Sequence, residues 1–592
     1  MLTGMFLFTS CFSHLDKFPE GDTTGQEVFG NMLGVRMALA KVYGAMILTG
    51  QEGPHGNTDV YGVDEGRTCF FRGFFDHQQL PTDETHNAWN NPGVPEMNHI
   101  AFLQGGPFGI NFYSRSLMIV QFANNFLRNT LDGDLADRGF SVAEREEVAI
   151  MRAEVRFIRA FQYWVLMDVF ANPPFIDEST LLGTMPRQKS ENAEEGRRLL
   201  FAWIESELLD LVNNNLLRTV GTNETGRVCE AAAWALLARF YLNANVYNSP
   251  VGTPGNNTDF YTQAIYFANR VISSGQFQIY GNYEHLFLND NRENPEFIWA
   301  LHYHGRFAQT HGGATFLINA SSSPDPEFQA NSRQAILDFG LRGNWAGLRA
   351  RSSLINRFEP GDRRLLFVGD IPEIRDETQA TFIIYGSISF KFRNIPSTMV
   401  VPGCERTMVD ERLVINLAGD TLRTPGFQGC TVCSSAPGAQ TGCHLVQHHL
   451  DNNIPFGSCP ADAWPDNSFP LFRLAEMVLI YAEAIERGGS GGNTGNALAN
   501  LNLLQERAFG VGFTPITSLD LDWIIDERSR ELFWEGHRRT DLVRFNRFTS
   551  GPSWEWRGGT FAGTSVSPHF NIYPLPITDI MANPNLRQNP GF

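Results

Sequence analysis

Residues 152–178 read RAEVRFIRAFQYWVLMDVFANPPFIDE and begin as an amphipathic helix. Apolar side chains recur at steps of three and four residues, which places them on one helix face: Val155, Ile158, Phe161, Val165 and Val169. The pattern predicts a helix over 142–170 that ends before Pro173 and Pro174, because proline lacks a donor and clashes with the preceding turn. A long aromatic helix with a rigid exit is typical of a scaffold, and we interpret its arginines as structural: Arg152, Arg156 and Arg159.

Composition places the chain among large globular proteins. Of its 592 residues, 42% are hydrophobic and only 19% are charged, so it can bury a large core. The net charge of −18 argues against nucleic acid as a partner and against electrostatic docking on anionic lipid. No run of 18 apolar residues is present, so the sequence predicts no membrane-spanning helix.

The first 12 residues, MLTGMFLFTSCF, contain an apolar run that ends in small residues before Cys11. This arrangement is similar to the cleavage site of bacterial lipoproteins, and it predicts that residues 1–11 are a signal remnant and that Cys11 is lipidated. The alternative is an ordinary signal-peptide remnant with an incidental cysteine.

Helical periodicity dominates the rest of the chain, so we expect a mainly α fold. Two similar helix pairs are predicted at 227–247 with 261–274 and at 472–488 with 496–509. Small residues in the first helix of each pair allow close approach, as in tetratricopeptide-like hairpins. They are Ala235, Ala238, Ala482 and Ala484. Between the pairs, residues 280–468 form a loop-rich, irregular segment with strand-like runs at 297–303 and 381–392. Other helices are predicted at 31–49, 113–131 and 194–217, and residues 526–548 are predicted as a charged helix and its exit.

Several motifs in this order resemble the SusD/RagB family, the surface lipoproteins that partner TonB-dependent transporters in glycan uptake. They are LPTDE (80–84), RLAE (473–476) with YAEA (481–484), DERSREL (526–532) with EGHR (535–538), and the tail YPLPITDIMANPNLRQNPGF (573–592). Together with residues 152–178 they cover essentially the whole chain, and the ordered set is far more specific than any one motif.

The resemblance implies a tetratricopeptide-like scaffold of helix pairs with a loop-rich, partly irregular ligand-binding lobe, as a single domain over 12–592. The scaffold helices would lie mainly at 31–49, 113–275 and 470–548, and the variable lobe at about 280–468. It further implies a non-enzymatic, cofactor-free glycan-binding protein, lipid-anchored at the cell surface in the outer membrane, which delivers oligosaccharide to a SusC-like TonB-dependent transporter. A peptide-binding member of the same family is the alternative.

Sugar binding requires exposed aromatic faces that stack on C–H groups, with polar side chains that bond the hydroxyls. Loop residues of these types are the predicted glycan-binding residues: Asp59, Arg67, Trp89, Asn90, Tyr303 and Trp345. Trp89 and Trp345 have the clearest context, because glycine and turn residues surround both. The alternative is that both indoles are hydrophobic plugs beneath the loops.

Five cysteines lie close together in the sequence, at Cys404, Cys430, Cys433, Cys443 and Cys459. Because an exported chain favours disulfides, we predict disulfides here, with Cys69 or Cys229 available to the odd cysteine. The alternatives are free thiols or a structural metal ion. Cys430 and Cys433 have zinc-ligand spacing, but the second half of such a site is irregular, so no metal site is assigned. His302 and His304 are interpreted as structural for want of a third ligand.

The alternative from a different functional class is an enzyme, a glycoside hydrolase that would use carboxylates for catalysis. Glutamates at four-residue spacing in 526–539 have arginines three residues away, which favours a structural ion-pair network. They are Glu527, Glu531 and Glu535. Hydrolysis would instead use loop carboxylates such as Asp59, or Asp83 and Glu84.

Overall fold

The computed structural model describes residues 28–62, 64–287, 291–305, 307–321, 345, 347–365, 367–368, 388–389, 410–415, 421–426, 464–465, 467–560 and 562–592. Within these residues, no helix combines the length and apolar character that crossing a membrane requires.

Helices dominate, which confirms the mainly α prediction. The α-helices are α1 Met32–Ile47, α2 Phe70–Gln79, α3 Val94–His99, α4 Pro107–Asn129, α5 Asp132–Asp137, α6 Val142–Phe170, α7 Ala193–Asn213, α8 Glu230–Leu242, α9 Ala244–Tyr247, α10 Thr258–Ser273, α11 Ala314–Ser321, α12 Ser352–Ile355, α13 Leu474–Glu486, α14 Thr494–Phe509, α15 Leu521–Leu532, α16 Arg538–Arg544 and α17 Ile577–Ala582. The strands are β1 Thr85–Asn87, β2 Phe297–His302, β3 Leu348–Ala350, β4 Phe367–Val368, β5 Ile388–Ser389, β6 Asp410–Ile415, β7 Thr421–Gly426 and β8 Ser468–Arg473.

The helix predicted from residues 152–178 is present as α6 and has the predicted bounds. A capping box between Ser141 and Glu144 satisfies the first turn, and all five stripe residues are buried. The helix packs against α4 on one side and α7 on the other. Its arginines bind protein groups: Arg156 pairs with Glu207 at 3.0 Å, and Arg159 pairs with Glu207 and Glu178. These contacts are structural, as the sequence pattern indicated.

The two predicted helix pairs form and stack on each other. Helix α8 packs against α10, α10 packs against α13, and α13 packs against α14. All four small residues of the pattern are fully buried. Close packing continues at the turn after α13, where a Cβ on Gly489 would lie 2.7 Å from the Ile265 side chain of α10. The helix-hairpin prediction is therefore confirmed.

Short antiparallel strand pairs connect distant parts of the chain. Strand β1 pairs with β3, with Thr85 opposite Ala350, and β2 pairs with β8, with His302 opposite Ser468. Pairs β4–β5 and β6–β7 lie within the predicted variable lobe. The strand predicted at 297–303 is thus present as β2. Of the run at 381–392, only β5 falls within the described residues.

The charged segment predicted as a helix and its exit over 526–548 contains two helices, α15 and α16, separated by a break. The break lies between α15 and α16, where Trp534 has a φ of 60° and Gly536 a φ of 82°. The reason is packing: Phe533 and Trp534 are fully buried, and a Cβ on Gly536 would lie 2.4 Å from the Phe74 ring of α2. A continuous helix would place this pair of rings at different angles to the core.

Arginines and carboxylates around α15 form a buried ion-pair network. Glu531 forms ion pairs with Arg473 at 2.6 Å, with Arg364 at 3.1 Å and with Arg507. Glu296 forms ion pairs with Arg473 and Arg507, both at 2.7 Å. Burial alone would raise the pKa of Glu531, but the three guanidinium groups hold it well below its usual range. The predicted structural network is present, although most of its pairs join separate elements; Glu527–Arg530 at 2.8 Å is a pair within α15.

We expect Glu531→Gln to destabilise the fold by about 3–5 kcal/mol, because it leaves buried guanidinium groups without a counter-charge. Denaturant unfolding measures this loss. The matched control is Glu147→Gln, since Glu147 pairs with Arg36 at 2.8 Å on the surface, where an ion pair contributes less than about 1 kcal/mol. Equal losses for the two variants would contradict the role of the network.

Candidate functional site

The loop after β1 carries Trp89, and two asparagines fix its course. The Nδ2 atom of Asn98 donates to the carbonyl oxygen of Asn87 at 2.8 Å, and the Asn87 N–H donates to Oδ1 of Asn98 at 3.1 Å. The side chain of Asn87 in turn accepts from the Trp89 N–H at 3.0 Å. Trp89 is half-buried, whereas Asn90 and Asn91 are exposed.

Trp345 lies against this loop although it is 256 residues away in sequence. The indole Nε1 of Trp89 donates to the carbonyl oxygen of Trp345 at 2.9 Å. The Ala88 N–H donates to Gly347 at 2.7 Å, and Trp345 N–H donates to Asn319 at 2.8 Å. Glycine is required at 347, because a Cβ there would lie 2.4 Å from the Trp89 ring. The register of β1 with β3 thus brings the two tryptophans together.

Both indoles border a concave pocket with a volume of about 340 Å³. Their ring centroids are 6.5 Å apart and their planes are inclined by 49°. Two further aromatic side chains lie beyond Trp345: the His311 ring is 6.1 Å from the Trp345 ring and 4.9 Å from the Trp464 ring. The pocket is lined by Asp64, Glu65, Gly66, Arg72, Trp89, Asn91, His311 and Trp345.

Arg72 from α2 supplies a positive charge to the pocket wall. Its guanidinium lies over the rings of Phe316, at 4.3 Å, and Trp89, at 5.8 Å. It pairs with Asp64 at 3.2 Å and lies 3.8 Å from Asp76. Burial raises the pKa of Asp76 to about 7, although Arg72 and Arg67 oppose the shift.

The structure brings three of the six predicted residues to one place. Trp89 and Trp345 line the pocket, and Asn90 lies on the same loop as Trp89. Asp59 does not line the pocket; it pairs with Lys41 of α1 at 3.1 Å and lies 3.7 Å from Arg115. Contact between any of these residues and a sugar stays a prediction.

Tyr303 and Arg67 are not loop residues open to a ligand. Tyr303 follows β2 directly and is only 2% exposed, with its ring 6.3 Å from Phe71. Arg67 is 3% exposed; its guanidinium lies 4.4 Å over the Phe108 ring, and its Nη1 bonds the carbonyl oxygen of Pro92 at 3.4 Å. The expectation that these two side chains are exposed is wrong, because both pack against core phenylalanine rings beneath the loops.

Six residues that line the pocket were not predicted from the sequence: Asp64, Glu65, Gly66, Arg72, Asn91 and His311. Trp464, whose ring lies 4.9 Å from His311, was not predicted either. The segment FFRGFFDHQQ, for which no helix was predicted, forms α2. Its arginine at the third position carried a signal, because a single charge among four phenylalanines needs a partner. His311 and Trp464 gave no comparable signal, since their neighbours in space are distant in sequence.

The cysteine prediction lies mostly outside the described residues, as does lipidation of Cys11. Cys404, Cys430, Cys433, Cys443 and Cys459 all fall there. Cys69 and Cys229 are described, and both carry buried free thiols.

His302 lies inside the described region and bonds a side chain. Its Nδ1 lies 2.7 Å from the Ser468 hydroxyl, and burial lowers its pKa to about 4. Nowhere in the described ranges do three or more metal-ligating side chains gather into a potential metal site.

Asp83 and Glu84 have the electrostatic pattern of an acid–base pair but no access to substrate. Arg357 and Arg538 hold the pKa of Asp83 well below its usual range, against the effect of burial, whereas burial raises the pKa of Glu84 to about 7. Both side chains are buried: Asp83 binds Arg538 at 2.7 Å, and Glu84 accepts from the Ser529 hydroxyl at 2.7 Å. The geometry therefore contradicts hydrolysis by this pair.

We expect Glu84→Gln to remove a pH-dependent loss of stability. A carboxyl whose pKa rises from 4.5 to about 7 on folding contributes stability below about pH 4.5 that is lost as the pH rises through 7. Relative to wild type, the variant should gain up to about 3 kcal/mol between about pH 4.5 and pH 8. Denaturant unfolding across this range measures the gain, and parallel profiles for both proteins would contradict the assignment.

Comparison with known proteins identifies the family. A profile of the SusD family matches residues 464–592. The starch-binding protein SusD of Bacteroides thetaiotaomicron is 30% identical to this chain, over 99% of the chain and 96% of that protein. The chain belongs to the SusD family.

Solved structures of SusD-like proteins share the fold. Surface glycan-binding protein A of Bacteroides thetaiotaomicron, in complex with laminarihexaose, superposes with a TM-score of 0.61 at 18% identity, covering 94% of this chain and 98% of that one. A laminarin-binding SusD-like protein superposes with a TM-score of 0.58 at 18% identity, covering 95% and 99%. At this identity the likeness supports the fold alone.

Proposed function

We propose that this SusD-family protein binds oligosaccharide or polysaccharide at the pocket bordered by Trp89 and Trp345. One observation carries the proposal: two half-buried indoles from distant parts of the chain meet at one concave surface. An indole held by its own Nε1–H bond presents a rigid apolar face to a sugar ring. The fixed orientation reduces the entropy cost of binding.

The polar groups around the indoles match the rim of a sugar. Asn91 offers both donors and acceptors, Arg72 offers donors, and Asp64 offers acceptors that suit neighbouring hydroxyls. His311 adds a second polar edge with an aromatic face. The contacts offered here are stacking and hydrogen bonds, which bind a sugar without changing its covalent bonds. Because the 30% identical relative is also named as a binding protein, we infer a non-catalytic role.

We propose a curved α-glucan of the starch type as the ligand. Two platforms inclined by 49° suit a chain that bends between successive sugar rings. The 30% identical relative is named for starch binding, which points to the same ligand class.

The family membership supports a place at the cell surface. We propose that Cys11 carries a lipid anchor in the outer membrane and that a SusC-like TonB-dependent transporter receives the glycan. A pocket that binds sugars by stacking and hydroxyl bonds releases them readily, which suits transfer to a transporter.

Affinity electrophoresis tests the ligand class directly. Gels containing starch, laminarin or a soluble β-1,4-glucan should retard the protein in the starch gel most strongly. If the mobility in all three gels equals that in a gel without polysaccharide, glycan binding is contradicted. Stronger retardation by laminarin than by starch would change the proposed glycan class. Incubation with starch should release no new reducing ends, since release would show catalysis.

We expect Trp345→Ala to weaken glycan binding by at least about 30-fold, equivalent to about 2 kcal/mol, because it removes one stacking platform. Titration calorimetry with a maltooligosaccharide measures the change. Trp523→Ala is the matched control, since Trp523 is also half-buried but lies on α15 and does not line the pocket. Unchanged affinity in Trp345→Ala, with the control also unchanged, would contradict stacking at this indole.

A further inference from the structure

Glu65 lies in the wall of the pocket, but its carboxylate is already used by the protein. One oxygen, Oε1, accepts from the hydroxyl of Thr310 at 2.9 Å and from the hydroxyl of Thr49. The other oxygen, Oε2, accepts from the backbone N–H of His311 at 2.9 Å. With both oxygens bonded to protein donors, Glu65 is poorly placed to bond a ligand hydroxyl.

These bonds join two parts of the chain that meet at the pocket. Glu65 precedes the short turn Gly66–Thr68, whereas Thr310 and His311 belong to the loop between β2 and α11. The backbones approach closely here: a Cβ on Gly312 would lie 2.3 Å from the Gly66 carbonyl oxygen, and one on Gly66 would lie 2.8 Å from His311. The contact therefore requires glycine on both sides.

The same loop positions the aromatic ring of His311. That ring lies 6.1 Å from Trp345 and 4.9 Å from Trp464, and it lines the pocket together with the two tryptophans. A loop residue without a fixed backbone would sample several ring positions, and this freedom would be lost on binding at a cost in affinity.

We propose that Glu65 is a positioning residue for glycan recognition, which fixes the His311 backbone so that its ring completes the aromatic wall of the pocket. The proposal rests on the proposed function, because it assigns His311 as a ligand contact and Glu65 as the group that orders it. Glu65 acts through His311 and makes no contact of its own with the glycan.

A double-mutant cycle on glycan affinity tests this relation. Glu65→Ala and His311→Ala should each weaken maltooligosaccharide binding about tenfold in calorimetry. The double variant should bind no more weakly than His311→Ala alone, because residues that act through one another are not additive. An additive loss of about 100-fold would overturn the proposal, since it would show that Glu65 acts independently of His311.

Two further variants separate positioning from general destabilisation. Glu65→Gln keeps one acceptor and should recover part of the affinity that Glu65→Ala loses. Glu52→Ala is the matched control, because Glu52 also bonds a backbone N–H of its own loop, that of Asn57 at 3.0 Å, but does not line the pocket. The control should leave affinity unchanged, and an equal loss there would overturn the specific role of Glu65.

Hydrogen exchange provides a readout that needs no ligand. Glu65→Ala should increase exchange in peptides covering residues 307–316, because the His311 amide loses its acceptor, while exchange in α13 stays unchanged. Unchanged exchange at 307–316 overturns the proposal. If the wild type binds no glycan in the electrophoresis panel, the proposed function fails by that result, and the exchange data still decide whether Glu65 orders the loop.

Discussion

The buried ion-pair network around Glu531 is the interaction on which the scaffold depends. It connects β8 through Arg473, α14 through Arg507 and the turn before β4 through Arg364. Charges taken out of water lose several kcal/mol of hydration each, so the network stabilises the fold only while every member keeps its partners. Such a network favours one arrangement of these elements, because any shift leaves a buried charge unpaired.

This constraint reaches the candidate site through the strands. Arg473 ends β8, whose partner β2 leads directly into the loop that carries Thr310 and His311. On the other side, β1 and β3 hold Trp89 and Trp345 in register. The site is therefore a set of loops whose ends are fixed by short strand pairs, and these strand pairs are anchored to a helical scaffold.

Hydrophobic periodicity was sufficient to predict the scaffold helices, but not the contacts between elements that are distant in sequence. The same difference between local pattern and distant contact explains which predicted site residues lie at the pocket. Helices such as α6 and α13 follow from their apolar spacing, whereas the break after α15 arises from Phe74, which lies far earlier in the chain. The half-exposed position of Trp89 and Trp345 beside the pocket could be predicted because glycine and asparagine around them indicate a turn. Tyr303 had a similar local appearance, but it follows a strand whose partner, β8, is distant in sequence, and that pairing places its ring in the core.

Two of the sequence motifs that indicated the family are the two sides of one contact. LPTDE supplies Asp83 and Glu84, and the DERSREL–EGHR segment supplies Arg538 and Ser529, which bind them at 2.7 Å. Asp83 and Glu84 immediately precede β1, and the Glu84 carbonyl oxygen also accepts the Arg351 N–H after β3 at 3.0 Å. These carboxylates, although their charges resemble a catalytic pair, attach the strand pair that carries both tryptophans to helices α15 and α16. The position of the two indoles is set, through this contact, by the same charged helix that holds the scaffold together.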